Sequence, residues 1–410
     1  MKRFIAFFLG LCLLVCCCGT AAVLGYGTWR YGGWEGLRQR VRAEWQSSQP
    51  RPTSAPTLVP AATLDTAAFM QGLATPIPIP PTNTPLPDSF TQVAAETPTL
   101  RPSAVPLPER VWLEGYGHVW QTWNNCGPAT MVTYLSYWGV AVSQGEVAAV
   151  IKPHPDDKNV ALAELLAYAQ ERGMNGRLLF NGRADVLRNL LANGYPVLVE
   201  TWLEEHPNDG LGHYRLLVGY DEGAQVWLVA DSYVGTGATQ PYTFIEVPYE
   251  QFAAQWAVFN RPYLVLYPPA EAEAVQGIVG EVWVEEIMWE RALLDLQAEA
   301  EARPSDPFVW FNLGSVLVER GQYEQAAVAF DQARVLGLPW RMLWYQFGVF
   351  EAYVAVGRAA EAVALAQATL DSGGTAAEVY EWQARAWVAL GDEAAARESF
   401  GLAAEFRGEE

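Results

Sequence analysis

Lysine is almost missing from this chain: among 410 residues only Lys2, Lys152 and Lys158 occur. None of the three sits in a glycine-rich phosphate-binding loop, so a nucleotide-driven enzyme is excluded. Positive charge is scarce altogether, with 26 Lys and Arg against 46 Asp and Glu and a net charge of -20. Binding to nucleic acid needs a basic face, so nucleic acid is not an expected partner. After Ala270 the imbalance sharpens to 24 acidic against 9 basic residues. Cysteine is scarcer still. Cys12, Cys16, Cys17 and Cys18 fall in an apolar N-terminal run, leaving Cys126 as the sole thiol in the remainder, where no intramolecular disulfide can form. The chain has four histidines. Glu204, Glu205, His206, Asp209 and His213 make a polar cluster, but its spacing matches no strong zinc pattern, so it reads as a solvated loop and no metal or cofactor is expected.

What is present divides the chain into four parts. Residues 4–26 are almost wholly apolar behind Lys2 and Arg3, long enough to cross a membrane as a helix. Residues 1–27 are therefore expected to be a transmembrane anchor, with a cleaved signal peptide or lipid attachment at Cys16, Cys17 or Cys18 as alternatives. From 28 to 108 runs a juxtamembrane segment and then a Pro/Thr/Ala-rich linker that can bury little surface, which reads as a tether. Arg30, Arg38, Arg40 and Arg42 would pull this side toward the cytoplasm. A Thr/Pro stalk is commoner outside cells, and it favours extracytoplasmic domains at the cell membrane.

Residues 109–270 read as an α+β domain, helices first and strands after. Pro128 suits the first turn of a helix, and Met131, Val132, Leu135 and Trp138 recur at helical spacing. Ser143 and Glu146 form a capping box for a second helix, 160–172 reads as a third, and 184–192 as another. Strands are expected at 178–180, 196–202, 214–220, 226–230, 242–247 and 263–267, giving a largely antiparallel sheet with helices packed on it. Residues 271–410 are helical and repeat. Trp310, Gly314, Leu317, Gly321, Ala326, Phe330 and Ala333 align with Tyr380, Ala384, Trp387, Gly391, Ala396, Phe400 and Ala403. A weaker copy lies at Gln346, Phe350, Tyr353, Gly357, Ala362 and Ala366. This alternation of large and small residues resembles the tetratricopeptide (TPR) repeat, whose stacked helical hairpins usually bind peptides or proteins. The resemblance implies a protein partner on an all-α repeat domain. The Trp and Tyr of the repeats read as core packing, with a ligand groove at Trp340, Trp344 and Tyr345 as the alternative.

The chemistry is concentrated in Gln121-Thr122-Trp123-Asn124-Asn125-Cys126-Gly127-Pro128, answered downstream by Gly212-His213-Tyr214 and Ala230-Asp231-Ser232. A thiol at a helix N-terminus is favoured as thiolate by the helix dipole. His213 can hold the thiol proton and return it to a leaving amine, Asp231 can orient the imidazole, and Gln121 can donate to the developing oxyanion with the Cys126 N-H. Each residue alone has an ordinary reading: a buried thiol, a core His, a strand-end carboxylate, a surface Gln. Their order and roles together point to nucleophilic catalysis.

These motifs resemble the C39-like cysteine peptidases, a papain-like group that includes double-glycine leader peptidases. The resemblance implies a papain-like fold, with Cys126 as nucleophile, His213 as base, Asp231 as orienting acid and Gln121 as oxyanion donor. Ser232 departs from the Pro that many relatives carry after the Asp, and the ABC transporter that accompanies leader peptidases is absent. A membrane-anchored cysteine peptidase acting on a peptide or protein substrate is the expected function. A catalytically silent peptide-binding scaffold and a cell-wall peptide amidase or acyltransferase are the alternatives.

Overall fold

The computed structural model describes residues 25–26, 66–73, 107–204, 210–233 and 242–409. The expected anchor therefore lies outside the described residues except for Gly25 and Tyr26, and the linker outside them except for 66–73 and 107–108. Among the described residues no helix is long and apolar enough to cross a membrane.

A seven-stranded antiparallel sheet forms the middle of the molecule, with strands β1 (Arg110–Trp112), β2 (Asn175–Leu179), β3 (Val197–Leu203), β4 (Leu211–Asp221), β5 (Val226–Asp231), β6 (Ile245–Pro248) and β7 (Tyr263–Tyr267). Their order is β2-β7-β3-β4-β5-β6, and β1 adds to β4. Side chains alternate across this sheet, so each strand feeds two cores. On one face Leu198, Tyr214, Leu216 and Val218 pack with α2 (Cys126–Tyr137), α3 (Gln144–Ile151) and α4 (Leu162–Gln170). On the other, Val197, Val199 and Leu217 pack with α5 (Ala184–Ala192), α6 (Tyr249–Ala257) and α7 (Ala272–Val279). A bulge between Leu217 and Gly219 shifts the alternation by one residue, which turns Tyr220 into the second core. Gly219 admits no side chain there, because a Cβ would lie 2.1 Å from the Val111 carbonyl oxygen of β1.

The expected elements largely appear. The Ser143–Glu146 capping box is present, and the helix at 184–192 and strand at 263–267 match. The third helix is shorter than its pattern, Leu162–Gln170, because its N-terminal stretch runs extended through Ala161. The helix α6 carried no sequence expectation. It buries only Phe252 and Trp256, too few apolar positions to show a periodic stripe.

The region after 270 is helical throughout: α8 (Glu285–Ala302), α9 (Pro307–Glu319), α10 (Tyr323–Val335), α11 (Gly348–Ala355), α12 (Ala359–Asp371), α13 (Ala377–Leu390) and α14 (Glu393–Arg407). Between the helices of successive pairs stand Gly321, Gly357 and Gly391, at φ +68°, +79° and +81°. This left-handed turn, cheap only for glycine, recurs at the same place in all three copies. Gly314 lets α9 and α10 touch, since a Cβ there would sit 2.7 Å from the Phe330 ring.

Two findings differ from the sequence expectation. Residues Thr66–Leu73, inside the stretch read as a tether, form a helix (α1) that buries Met70 and Leu73 against the repeats, with Phe69 beside Trp310. Proline-rich flanks hid this short apolar segment. Second, residues of the sheet domain and of the helical repeats share one core. Trp202 and Phe259 join it, with Trp202 5.9 Å from Phe308 and Phe259 6.1 Å from Tyr345. Asn312 also donates to the Ala257 carbonyl at 2.8 Å. The repeats are therefore docked on the sheet domain.

Candidate active site

Cys126 is the first residue of α2 and is partly buried. Asn125 precedes it as N-cap without offering its side chain to the helix, so the free N-H groups of the first turn remain for an anion. Gly127 sits in close packing: a Cβ there would meet the Val160 side chain at 3.2 Å and the Tyr214 ring at 3.3 Å. The start of α2 is thereby pressed onto β4, the strand that carries His213.

His213 is 3% exposed and Asp231 is fully buried. Their strands pair through Arg215 and Asp231, which stand directly opposite each other. The His213 Nε2 lies 2.7 Å from Asp231 Oδ1, while Arg215 Nε donates to Asp231 Oδ2 at 2.8 Å and the Tyr233 N-H donates to Oδ1 at 2.8 Å. With Nε2 committed to the carboxylate, Nδ1 is the ring nitrogen left for the Cys126 thiol. Sulfur, imidazole and carboxylate thus stand in sequence.

The electrostatics follow from that arrangement. Burial works against a Cys126 thiolate, but the hydrogen bond and charge of His213, helped by the Tyr214 backbone and Lys152, bring the thiol below its ordinary value. Burial also works against an imidazolium. The Asp231 charge and hydrogen bond, with Cys126, overcome it and raise His213 to about 9. Asp231 would be pushed up by burial, yet His213 and Arg215 hold it far below the usual carboxylate range. These shifts agree in sign with a thiolate-imidazolium pair oriented by an ionised carboxylate.

Gln121 is tied to the residue after Asp231. Its N-H donates to the Ser232 carbonyl at 2.9 Å, and Ser232 Oγ donates to Gln121 Oε1 at 3.0 Å. With Oε1 occupied, the amide Nε2 is the donating end, and it makes no hydrogen bond among the described residues. The structure thus brings Cys126, His213 and Asp231 together and ties Gln121 to Ser232, the residue after Asp231. Of the polar cluster preceding His213, Glu205, His206 and Asp209 lie outside the described residues.

Sequence reasoning missed several supporting side chains. Arg215, 3% exposed, bridges Asp231 and Gln255, the latter at 2.7 Å. A charge inside the apolar run Tyr214 to Val218 was the available signal, since a buried guanidinium demands a buried carboxylate. His118 meets the Asp231 carbonyl through Nε2 at 2.8 Å and stacks on Tyr242 at 3.8 Å. Ser232 was read only as a departure from proline. Lys152, 7% exposed, donates to the Asn124 carbonyl at 2.6 Å beside the helix start. Burial lowers it to about 8, against the pull of the Cys126 charge.

The sequence profile of the Peptidase_C39 like family matches residues 112–263. Three solved structures are similar to this chain. One is a protein of Bacillus anthracis described as a C39-like peptidase, at 16% identity and TM-score 0.31 over 39% of this chain and 98% of that one. The second is the peptidase domain of Streptococcus ComA, a bi-functional ABC transporter involved in quorum sensing, at 17%, 0.30, 37% and 98%. The third is a double glycine motif protease from an AMS/PCAT transporter in complex with the leader peptide, at 17%, 0.28, 39% and 98%. No curated protein sequence matches the chain. Residues 112–263 are a C39-like peptidase domain, and the helices that follow lie outside the match.

Proposed function

We propose that this protein is a cysteine peptidase that cleaves a peptide or protein substrate through Cys126, His213 and Asp231. The observation that carries this reading is the buried line from sulfur through imidazole to carboxylate at a helix N-terminus. The Cys126 thiolate attacks the scissile carbonyl carbon, and the displaced electron pair settles on oxygen, facing the Cys126 N-H and the Gln121 amide. The carbonyl re-forms, the C-N bond breaks, and the imidazolium of His213 gives its proton to the departing amine. Water, deprotonated by the now neutral His213, then adds to the thioester carbonyl, the C-S bond breaks, and the thiolate-imidazolium pair is restored with release of the acid. The helical hairpins act as TPR-type repeats that recruit a protein partner or the substrate. The apolar residues 4–26 anchor the protein, and the stalk places the enzyme outside the cytoplasmic membrane.

Alkylation tests the nucleophile before any substrate is known. Iodoacetamide at pH 6 is expected to modify Cys126, mapped by peptide mass, at least about tenfold faster than free cysteine, whose pKa near 8.5 leaves little thiolate there. Reaction no faster than the free amino acid would leave a silent binding domain as the better reading. Incubation with a peptide library and with cell-wall fragments then separates a peptidase from an amidase. Turnover against pH should be bell-shaped. It falls on the acid side as the thiolate is protonated, and on the alkaline side near pH 9 as His213 loses the proton that the leaving amine needs.

Gln121 has a separable signature. Gln121→Ala should lower kcat by about 10²–10³-fold, the usual effect of losing one oxyanion donor. Ser232→Ala should cost about tenfold, because the amide survives and only its orientation relaxes. Alkylation by iodoacetamide, which develops no oxyanion, should be unchanged in both. A parallel fall in kcat and alkylation would show that Gln121 acts on the thiol instead.

A further inference from the structure

A cavity of about 210 Å³ lies between the sheet domain and the repeats, and Tyr214, the chain neighbour of His213, is in its lining. It is smaller than the roughly 300–1,000 Å³ that drug-sized ligands occupy, so it suits one extended side chain. Tyr214, whose ring abuts Gly127, and Tyr345, whose ring covers Gly212 at 3.2 Å from where a Cβ would stand, form its wall toward Cys126 and His213. Tyr345 comes from the repeats. In the middle copy a 3-10 turn at Trp340–Trp344 and a loop replace the first helical turn, so α11 begins only at Gly348. The copy that looks weakest in sequence is the one that feeds a residue into the cleft.

The lining is acidic and short of partners. Glu200, on β3 opposite Tyr214, is 6% exposed and makes no hydrogen bond or ion pair among the described residues. Asn260 is 4% exposed, and its Oδ1 is buried without a hydrogen-bond partner. Glu319, at the end of α9, stands exposed at the rim. Among the described residues that line the cavity, none is Lys, Arg or His. A buried carboxylate and a buried amide oxygen lining a cavity without a cation are suited to a guest that supplies donors and positive charge. Phe180 and Trp289, stacked at 5.0 Å, give the same cavity an apolar side on which a methylene stem can lie.

We propose that this cavity is a specificity subsite of the cysteine site that receives a lysine or arginine side chain of the substrate, with Glu200 as its counter-ion. The repeats then select the substrate at the scissile bond as well as at a distance, because Tyr345 and Glu319 belong to them. The inference rests on the peptidase reading, and the test keeps the two apart.

Peptidyl acyloxymethyl ketones are compared on the full-length protein, with lysine, norleucine or glutamate placed in turn at each position flanking the reactive group. At one position the lysine probe is expected to inactivate Cys126 about tenfold or more faster than norleucine, with glutamate slowest. Glu200→Gln should abolish that preference. Glu319→Gln, at an exposed rim where folding is not at risk, should reduce it about threefold. Equal rates for the three probes everywhere, with fast iodoacetamide alkylation of Cys126, would overturn the subsite and leave the peptidase reading standing. A lysine preference untouched by both substitutions would also overturn it. A thiol slow toward every reagent would remove the peptidase reading itself.

Discussion

His213→Ala should lower kcat for peptide hydrolysis by about 10⁴-fold or more, and slow iodoacetamide alkylation of Cys126 at neutral pH at the same time. Both effects have one origin. Burial pushes the Cys126 thiol toward its protonated form, and the contribution that overcomes this is chiefly the hydrogen bond and charge of His213. Without the imidazole, burial is opposed only by the Tyr214 backbone and Lys152, so the thiolate population falls. The leaving amine also loses its proton donor, which alkylation does not need. Hydrolysis should therefore suffer more than alkylation. In a serine peptidase with the same division of labour, losing the His alone costs about 10⁶-fold. A thiol is the better nucleophile unaided, which sets the lower expectation here. The fold should tolerate the change, because Asp231 keeps Arg215 as a charged partner. Single-turnover rates and thermal melting of the same preparation check both halves. A variant within tenfold of the parent in hydrolysis would remove His213 from the mechanism.

Much of this site was legible before any coordinates, and what was missed has a common cause. Cys126 stood out because Pro128 and the following apolar period announce a helix start, and helix starts attract anions. His213 and Asp231 stood out by their order. Their strands were readable as apolar runs broken by Asp221-Glu222-Gly223, a turn that Asp221 closes by accepting from the Ala224 N-H at 2.9 Å. Arg215, Ser232 and His118 act only through pairings across the sheet or between loops. Which residue of β4 faces which residue of β5 depends on the bulge at Leu217, and no periodicity reports that. The docking of the repeats was hidden for the same reason. Trp202 and Phe259 look like ordinary interior residues of the sheet domain until Phe308 and Tyr345 are seen to cover them. The weakness of the middle repeat was visible in the sequence, but not that its first helical turn gives way to a 3-10 turn and a loop that carry Tyr345 to the cavity.

Asp231 offers the sharpest separation of catalysis from architecture, through two substitutions that should fail in different ways. Asp231→Asn retains shape and an acceptor for Arg215 or His213, but its amide cannot hold the imidazole in the required tautomer or stabilise its positive charge. A fall in kcat of about 10⁴-fold is expected, as for the equivalent change in a serine triad. His213 should also fall from about 9 toward ordinary values, shifting the alkaline limb of the pH profile downward. Asp231→Ala should instead cost stability. Arg215, 3% exposed, would keep Gln255 but lose its only ion-pair partner among the described residues. Breaking a buried pair from one side typically costs about 3–5 kcal/mol. The sign of the pH dependence gives a further check. The folded state holds the Asp231 carboxyl below its ordinary value of 3.8, so its ionisation stabilises the fold above that pH. That stabilisation drains away as the pH falls toward the folded value. The Asn variant should lack this part of the acid dependence, flattening its melting temperature against pH at the acid end. If Asp231→Asn melts and hydrolyses like the parent across that range, the carboxylate orients nothing, and the imidazole must take its direction from the packing around it.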